Sequence, residues 1–281
     1  MEDIKIPMHP RMAELLRFVE EDLGYGDITT ESVLEEEVAA RAEVVAKEAG
    51  VLAGMEEALA LLEHFNLKCT PLKQDGDEVA PGEVVLEVEG SARTILMLER
   101  VVLNLLMRMS GIATATRRLV NIAGRYGVRI AGTRKTTPGF RYFEKRAIAL
   151  GGGDTHRLRL DDAVLIKDNH LALVELGEAV RRAKEAGFTR KVEVEVRSPE
   201  QALQALEAGA DIVMLDNFSV EEAERAISLA RKRGSGAVIE LSGGITPENI
   251  ESYAKLRPDV ISTGYITTRS AWLDMSLRLR R

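Results

Sequence analysis

The chain has 281 residues, a net charge of −7 and 45% hydrophobic residues, enough apolar material for one large or two unequal domains. A pI near 5.4 argues against nucleic acid or an anionic membrane surface as partner, since both need a broad basic face. A single cysteine, Cys69, excludes a disulfide framework and a cysteine-built zinc site, and with no apolar run of leader or membrane-span length, including in the opening MEDIKIPMHPRM, a cytoplasmic location is expected.

Residues 9–24 have the spacing of a helix, with Leu15, Leu16, Val19 and Leu23 on one face and Gly24 as its stop. In the loop that follows, GYGDITTES, Asp27, Thr29 and Thr30 are candidates for capping and for chemistry alike. Residues 38–47 alternate as a strand, Gly50 turns the chain, and Met55–Phe65 forms an amphipathic helix. DGDEVAPGEVVLEVEG, at 75–90, sets Asp-Gly and Pro-Gly turns beside short Val-rich runs, the pattern of antiparallel hairpins. A long helical stretch over 91–124 contains Ser110-Gly111, a break at which a domain boundary is expected. Arg100 lies on this stretch, and taken alone it is a surface arginine.

After residue 125 short β-branched runs alternate with helical segments. Strands are predicted near 128–133, 163–166, 191–196, 211–215, 237–241 and 259–262, with a seventh at 155–159. Helices are predicted near 139–150, 171–187, 199–208, 219–233 and 246–254. This rhythm implies a parallel sheet. Polar residues follow nearly every strand instead of gathering at one crevice, which favours a barrel whose chemistry sits at the strands' carboxyl ends.

Residues 132–170 are net basic inside an acidic chain, setting Arg134, Lys135, Arg141, Lys145, Arg146, Arg157, Arg159 and Lys167 against five acidic residues. Guanidinium forks and ammonium point charges together suit a small ligand with several carboxylates or phosphates. Arg134 and Lys135 follow the first strand and Lys167 the next long one. Glu195 ends the third and Asp216 follows the fourth. These two carboxylates can hold Mg²⁺, directly or through water, or stabilise a developing cation, while Lys135 meets leaving phosphates. Glu193 is expected on the face opposite Glu195, leaving Glu195 as the barrel carboxylate. After the last two strands, Ser242, Gly243, Gly244 and Gly264 form a candidate phosphate cradle. A purely structural ion-pair set of Glu195 and Asp216 with Lys135 and Lys167 stays open on this reading.

The runs LERVVLNLLMRMSGIAT (98–114), GTRKTTPGFR (132–141), GGGDTHRLRLDDAVLIKDNH (151–170), VEVEV (192–196), VMLDN (213–217) and LSGGI (241–245), with EDLGYGDIT at 21–29, closely resemble quinolinate phosphoribosyltransferases, the carboxylating nicotinate-nucleotide pyrophosphorylases. The resemblance covers almost the whole chain. It implies an α/β fold with an N-terminal α+β open sandwich domain, residues 1–110 joined by a C-terminal helix over 268–281, and an incomplete α/β barrel of about seven strands over 111–267. It implies phosphoribosyl transfer to quinolinate with decarboxylation, a step of NAD biosynthesis that requires Mg²⁺. It also implies a homodimer in which Arg100 reaches the partner's site. Arg134, His156, Arg157 and Lys167 would then surround the quinolinate carboxylates, and Lys135, Glu195 and Asp216 would meet phosphoribosyl pyrophosphate and its metal. Where the family often has Thr-His-Ser, this chain has Thr267-Thr268-Arg269, so Arg269 is a candidate replacement phosphate ligand. The nearest alternative is a related transferase acting on nicotinate.

Overall fold

The computed structural model describes residues 11–234 and 236–280. The first residues of the helix expected over 9–24, the opening segment read for a leader, and Arg281 lie outside them. The chain divides into two compact units, Met1–Thr114 with Ala271–Arg281, and Ala115–Ser270. No helix among the described residues is long and apolar enough to cross a membrane.

In the first unit the chain runs through α1 (Met12–Leu23), α2 (Ile28–Val33), β1 (Ala39–Ala46), β2 (Gly50–Val51), α3 (Met55–His64), β3 (Lys68–Pro71), β4 (Glu78–Val79) and β5 (Val84–Ser91) into α4 (Ala92–Ala123), whose end belongs to the second unit. Asp27 caps α2 by accepting the Thr30 N–H at 3.0 Å, a structural role. The two Val-rich runs of 75–90 do not form a hairpin with each other. The shorter, β4, pairs with β2, and β5 pairs with β1 and β3, all antiparallel.

The C-terminal segment is a strand, Met275–Arg280, and not the expected helix; it pairs antiparallel with β1, with Val44 opposite Leu277. The reason lies in its period: Met275, Leu277 and Leu279 recur at every second residue, which suits a strand and cannot line one face of a helix. Nor does α4 break at Ser110-Gly111. A Cβ on Gly111 would run into the Ala271 carbonyl, so the glycine lets a second backbone approach the helix instead of ending it. Ser110 is buried and holds Ala53 by accepting its N–H at 2.9 Å and donating to its carbonyl at 3.2 Å.

The second unit contains β6 (Arg129–Ala131), α5 (Arg141–Leu150), β7 (Val164–Ile166), α6 (Asp168–Leu171), α7 (Leu176–Glu185), β8 (Val192–Val196), α8 (Pro199–Glu207), β9 (Ile212–Asp216), α9 (Val220–Arg233), β10 (Val238–Ser242), α10 (Ile250–Ala254), β11 (Val260–Ser262) and α11 (Tyr265–Thr268). The helices start where the residues dictate. Ser198 caps α8 with Pro199 in its first turn, and Ser219 with Glu222 forms a capping box on α9. The helix expected over 171–187 is divided into α6 and α7, because Glu175 caps the latter, and the one expected from Thr246 begins only at Ile250 after a turn closed by Asn249 on the Thr246 N–H.

Six strands form one parallel sheet in the order β6-β11-β10-β9-β8-β7. The seventh expected strand is reduced to one parallel bridge, Ala131 to Asp154. Two residues on, His156 has φ 54°, a left-handed conformation that ends extended pairing. Among the described residues β6 and β7 do not pair, so the barrel is incomplete; the segment between Asp154 and Ala163 lies between them, anchored by that bridge and by Arg157 Nη1 donating to the Ala163 carbonyl at 3.1 Å. β8 shows how the barrel is held. Val192, Val194 and Val196 are wholly buried on its outer face, each side chain contributing about 1.5–3 kcal/mol, and the alternate residues are glutamates turned inward.

Candidate functional site

At the carboxyl ends of the six strands lies a cavity of ≈ 320 Å³ to which every strand contributes. Arg134 and Lys135 come from the loop after β6, Lys167 from the end of β7, Glu195 from β8, Asp216 from β9, Ser242 from β10 and Ser262 from β11. His156 and Arg157 complete the wall. Gly243 and Gly244 turn the chain after β10 with φ of 88° and 62°; a Cβ on Gly243 would stand 2.9 Å from the Asn217 nitrogen, so only glycine fits the turn. Gly264 follows β11 beside Lys135, where a Cβ would stand 3.1 Å from the Lys135 Cδ. Arg100 is exposed on α4 in the N-terminal unit and is not part of this wall, and Arg269 is exposed at the end of α11.

Lys135 is the exposed cation of the group, and its loop is tied down. Thr133 Oγ1 accepts the Lys135 N–H at 3.1 Å, and the buried Thr267 donates its hydroxyl to the Lys135 carbonyl at 2.7 Å. In the sequence Thr267 stands only as the first residue of Thr267-Thr268-Arg269, with nothing local to mark this role. Lys167 Nζ pairs directly with Glu195 Oε2, and Asp216 accepts from the Asn217 amide at 2.8 Å. The Lys167–Glu195 contact is the one ion pair of the structural alternative that forms, and it leaves Lys135 and Asp216 facing the cavity.

Two buried donors in this wall have no protein partner among the described residues: Arg134 Nε and Ser262 Oγ. Buried polar atoms are seldom left this way in a finished site, so their pairing falls to a ligand. Beside them the cations crowd one another. Burial, and then the charge of Arg141, push Lys145 down to about 8, with Arg134 and Arg157 acting in the same direction; burial and Arg134 lower Arg157 as well. A set of positive groups that repel each other is stabilised by a polyanion.

Below this layer the structure corrects the expectation for Glu193. Residues two apart in a strand share a face, so Glu193 points into the barrel with Glu195, at a deeper level. It meets Glu240 of β10, also missed from sequence, at the ring of His156: Nε2 stands 3.3 Å from Glu240 Oε2 and 3.5 Å from Glu193 Oε2. Burial opposes a charged ring here, but the hydrogen bonds of Glu193 and Glu240 outweigh it and raise the histidine to about 10. Burial, reinforced by the charge of Glu240 and opposed by His156, raises Glu193.

A parallel α/β unit with a polycationic cavity at its strand ends, a carboxylate pair within that cavity and an antiparallel sheet unit beside it in the chain defines a class of small-molecule enzyme acting on anionic substrates. Comparison narrows the class. Residues 112–278 match the family model "Quinolinate phosphoribosyl transferase, C-terminal domain" and residues 27–110 the N-terminal domain of the same family. A curated protein of Methanothermobacter thermautotrophicus, "Probable nicotinate-nucleotide pyrophosphorylase (carboxylating)", is 48% identical over 96% of this chain and 99% of its own. The rat protein "Nicotinate-nucleotide pyrophosphorylase (carboxylating)" is 43% identical over 85% of this chain and 82% of its own. The solved nicotinate-nucleotide pyrophosphorylase of Francisella tularensis superposes with a TM-score of 0.90 at 37% identity, covering 98% of each chain. The chain belongs to the quinolinate phosphoribosyl transferase family.

Proposed function

We propose that the chain transfers the phosphoribosyl group of phosphoribosyl pyrophosphate to quinolinate and releases CO₂, giving nicotinate mononucleotide for NAD biosynthesis. The observation that carries this reading is the single cavity in which two carboxylates from adjacent strands, Glu195 and Asp216, face a ring of cations that includes Arg134, whose Nε has no partner among the described residues. Arg134, Arg157 and Lys167 hold the two quinolinate carboxylates, with His156 in the same wall. Ser242, Gly243, Gly244 and Gly264 cradle the phosphate, and Arg269 is the candidate contact at its outer edge.

The ring nitrogen of the bound diacid faces the anomeric carbon, a nitrogen–carbon bond forms as the carbon–oxygen bond to pyrophosphate breaks, and Lys135 takes up charge on the leaving group. Glu195 and Asp216 are the negative groups available to the cationic ribosyl carbon in that transition state. The cationic ring nitrogen so formed stabilises the electron pair left on the neighbouring carbon when its carboxylate departs as CO₂, and that carbon then takes a proton from solvent to give the product, so that no separate base is needed. Two carboxylates supplying hard oxygen donors fit a Mg²⁺ that keeps several waters and substrate oxygens in its shell. When bound, the ion neutralises charge on the departing pyrophosphate. In a homodimer Arg100 supplies one more guanidinium to the partner's cavity, a reading supported by its exposure on α4 and its place outside its own chain's wall.

Quinolinate and nicotinate, each supplied with phosphoribosyl pyrophosphate and Mg²⁺, separate this reading from the related mono-acid transferase. Only quinolinate is consumed; equal turnover of nicotinate contradicts the assignment of two carboxylate sites.

A further inference from the structure

In the parallel sheet β11 lies between β6 and β10, so the chain that leaves it at Thr263 and Gly264 runs between the Lys135 loop on one side and the Gly243-Gly244 turn on the other. These three stretches carry the candidate phosphate contacts. Regular pairing ends with Ser262 opposite Ala131 and Leu241 opposite Ile261, and beyond it the spacing of the loops depends on what bridges them.

Two buried threonines are bridges. Thr263, 4% exposed, donates its hydroxyl to the Ile245 carbonyl at 2.8 Å and accepts the Tyr265 N–H at 3.1 Å, which joins the glycine turn after β10 to the start of α11. Thr267, 3% exposed on α11, donates to the Lys135 carbonyl at 2.7 Å, nearer than the Gly264 carbonyl of its own helix at 3.1 Å. Threonine hydroxyls in a short helix ordinarily bond back to the preceding turn, as the exposed Thr268 does to Gly264 at 2.8 Å. Thr267 instead reaches a carbonyl 132 residues away along the chain. Neither Thr263 nor Thr267 belongs to the cavity wall, where Thr133, Ser242 and Ser262 supply the hydroxyls. Both can influence a ligand only through the loops they hold.

We propose that Thr263 and Thr267 are positioning residues that brace the phosphate end of the cavity, fixing the glycine turn, Gly264 and Lys135 at one spacing. This deepens the phosphoribosyl reading of the cavity and rests on it. The two braces serve different moments of the reaction. The glycine turn held by Thr263 cradles a phosphate that does not react, whereas Lys135, held by Thr267, meets charge that develops only as pyrophosphate leaves. Arg157 and Lys167 come from loops that neither threonine touches.

Two measurements on the full chain test the proposal. In steady-state kinetics Thr263→Val, isosteric but without the hydroxyl, should raise the phosphoribosyl pyrophosphate KM about three- to tenfold, the size of one hydrogen bond, with kcat within about twofold. Thr267→Val should lower kcat by about the same three- to tenfold factor. The quinolinate KM should stay within about twofold in both variants, and Thr263→Ser and Thr267→Ser, which keep the hydroxyl, should restore wild-type values. A quinolinate KM that moves as far as the other constants, or serine variants no better than valine, overturns the assignment. The second measurement is backbone hydrogen exchange and needs no turnover. Thr267→Val should speed exchange at Lys135 and Thr136 and Thr263→Val at Thr246, each at least about threefold, with the amides of β10 and β11 unchanged. Unaltered exchange at those loops, or exchange raised throughout the unit, contradicts a local brace. Should a valine variant fail to fold, the alanine variant, which places no methyl against the carbonyl, is compared with serine in the same way. If wild-type enzyme transfers no phosphoribosyl group to quinolinate, the functional reading fails, and the exchange comparison still decides whether the braces exist.

Discussion

Glu195 and Glu193 stand on one strand and one face, two residues apart, yet they occupy different chemical worlds. Glu195 lies in the candidate substrate cavity and pairs with the half-exposed Lys167. Glu193 lies one layer down against His156 and Glu240, its side chain only 3% exposed. The difference shows that depth and partner, not residue type, sort the barrel's carboxylates into those that meet the reaction and those that hold its parts in place.

Substitutions should break that comparison in graded fashion. Asp216→Asn and Glu195→Gln remove negative groups aimed at the transition state, and each should lower kcat by about 10²–10³-fold with intact folding, measured by steady-state rates. Glu193→Gln, isosteric and on the same strand, should leave kcat nearly unchanged; an equal fall would erase the distinction. Arg134→Ala removes a half-buried arginine whose Nε has no protein partner among the described residues, and should raise the quinolinate KM by about 10–100-fold with far less effect on phosphoribosyl pyrophosphate. For Arg100, inactive Arg100→Ala and Lys135→Ala chains mixed in equal amounts should recover about a quarter of wild-type activity through randomly formed hybrid dimers; demonstrated hybrids without activity would remove the cross-subunit arginine. Gly264→Ala brings a methyl to 3.1 Å from the Lys135 Cδ, a flexible neighbour, so only a few-fold loss is expected.

The lower layer has its own pH signature. A histidine raised from 6.5 to about 10 in the folded protein stabilises the fold fully below pH 6.5 and loses that contribution as pH rises toward 10. Melting temperatures measured across that window should decline, and the decline should be shallower in Glu240→Gln, which weakens the partner; an identical slope would detach the histidine from the glutamate.

Much of this molecule can be read from its residues, for identifiable reasons. The β-then-α rhythm after residue 125 gave the parallel sheet, because short β-branched runs and capped helices punctuate the chain locally. The residues after the strands, from Arg134 to Asp216, gather at one cavity because parallel strands place all their carboxyl ends together. What escaped was non-local or a matter of phase. The strand period itself puts Glu193 on the face of Glu195, against the expectation, and Glu240 carries no local signal because only the register of its strand brings it to His156. The left-handed turn at His156, which stops the seventh strand, has no local signal, since histidine adopts φ > 0 only where its contacts demand it. The end of the chain, MSLRLR, alternates strictly and is a strand where a helix is expected, and Gly111 admits the Ala271 backbone instead of breaking the helix.

The central claim is tested most directly by supplying quinolinate labelled in the carboxylate adjacent to the ring nitrogen, with phosphoribosyl pyrophosphate and Mg²⁺, and counting products. One labelled CO₂ should appear for each nicotinate mononucleotide and each pyrophosphate, and none when phosphoribosyl pyrophosphate is omitted. A phosphoribosylated product that keeps the label, or CO₂ release without phosphoribosyl pyrophosphate, would contradict the account.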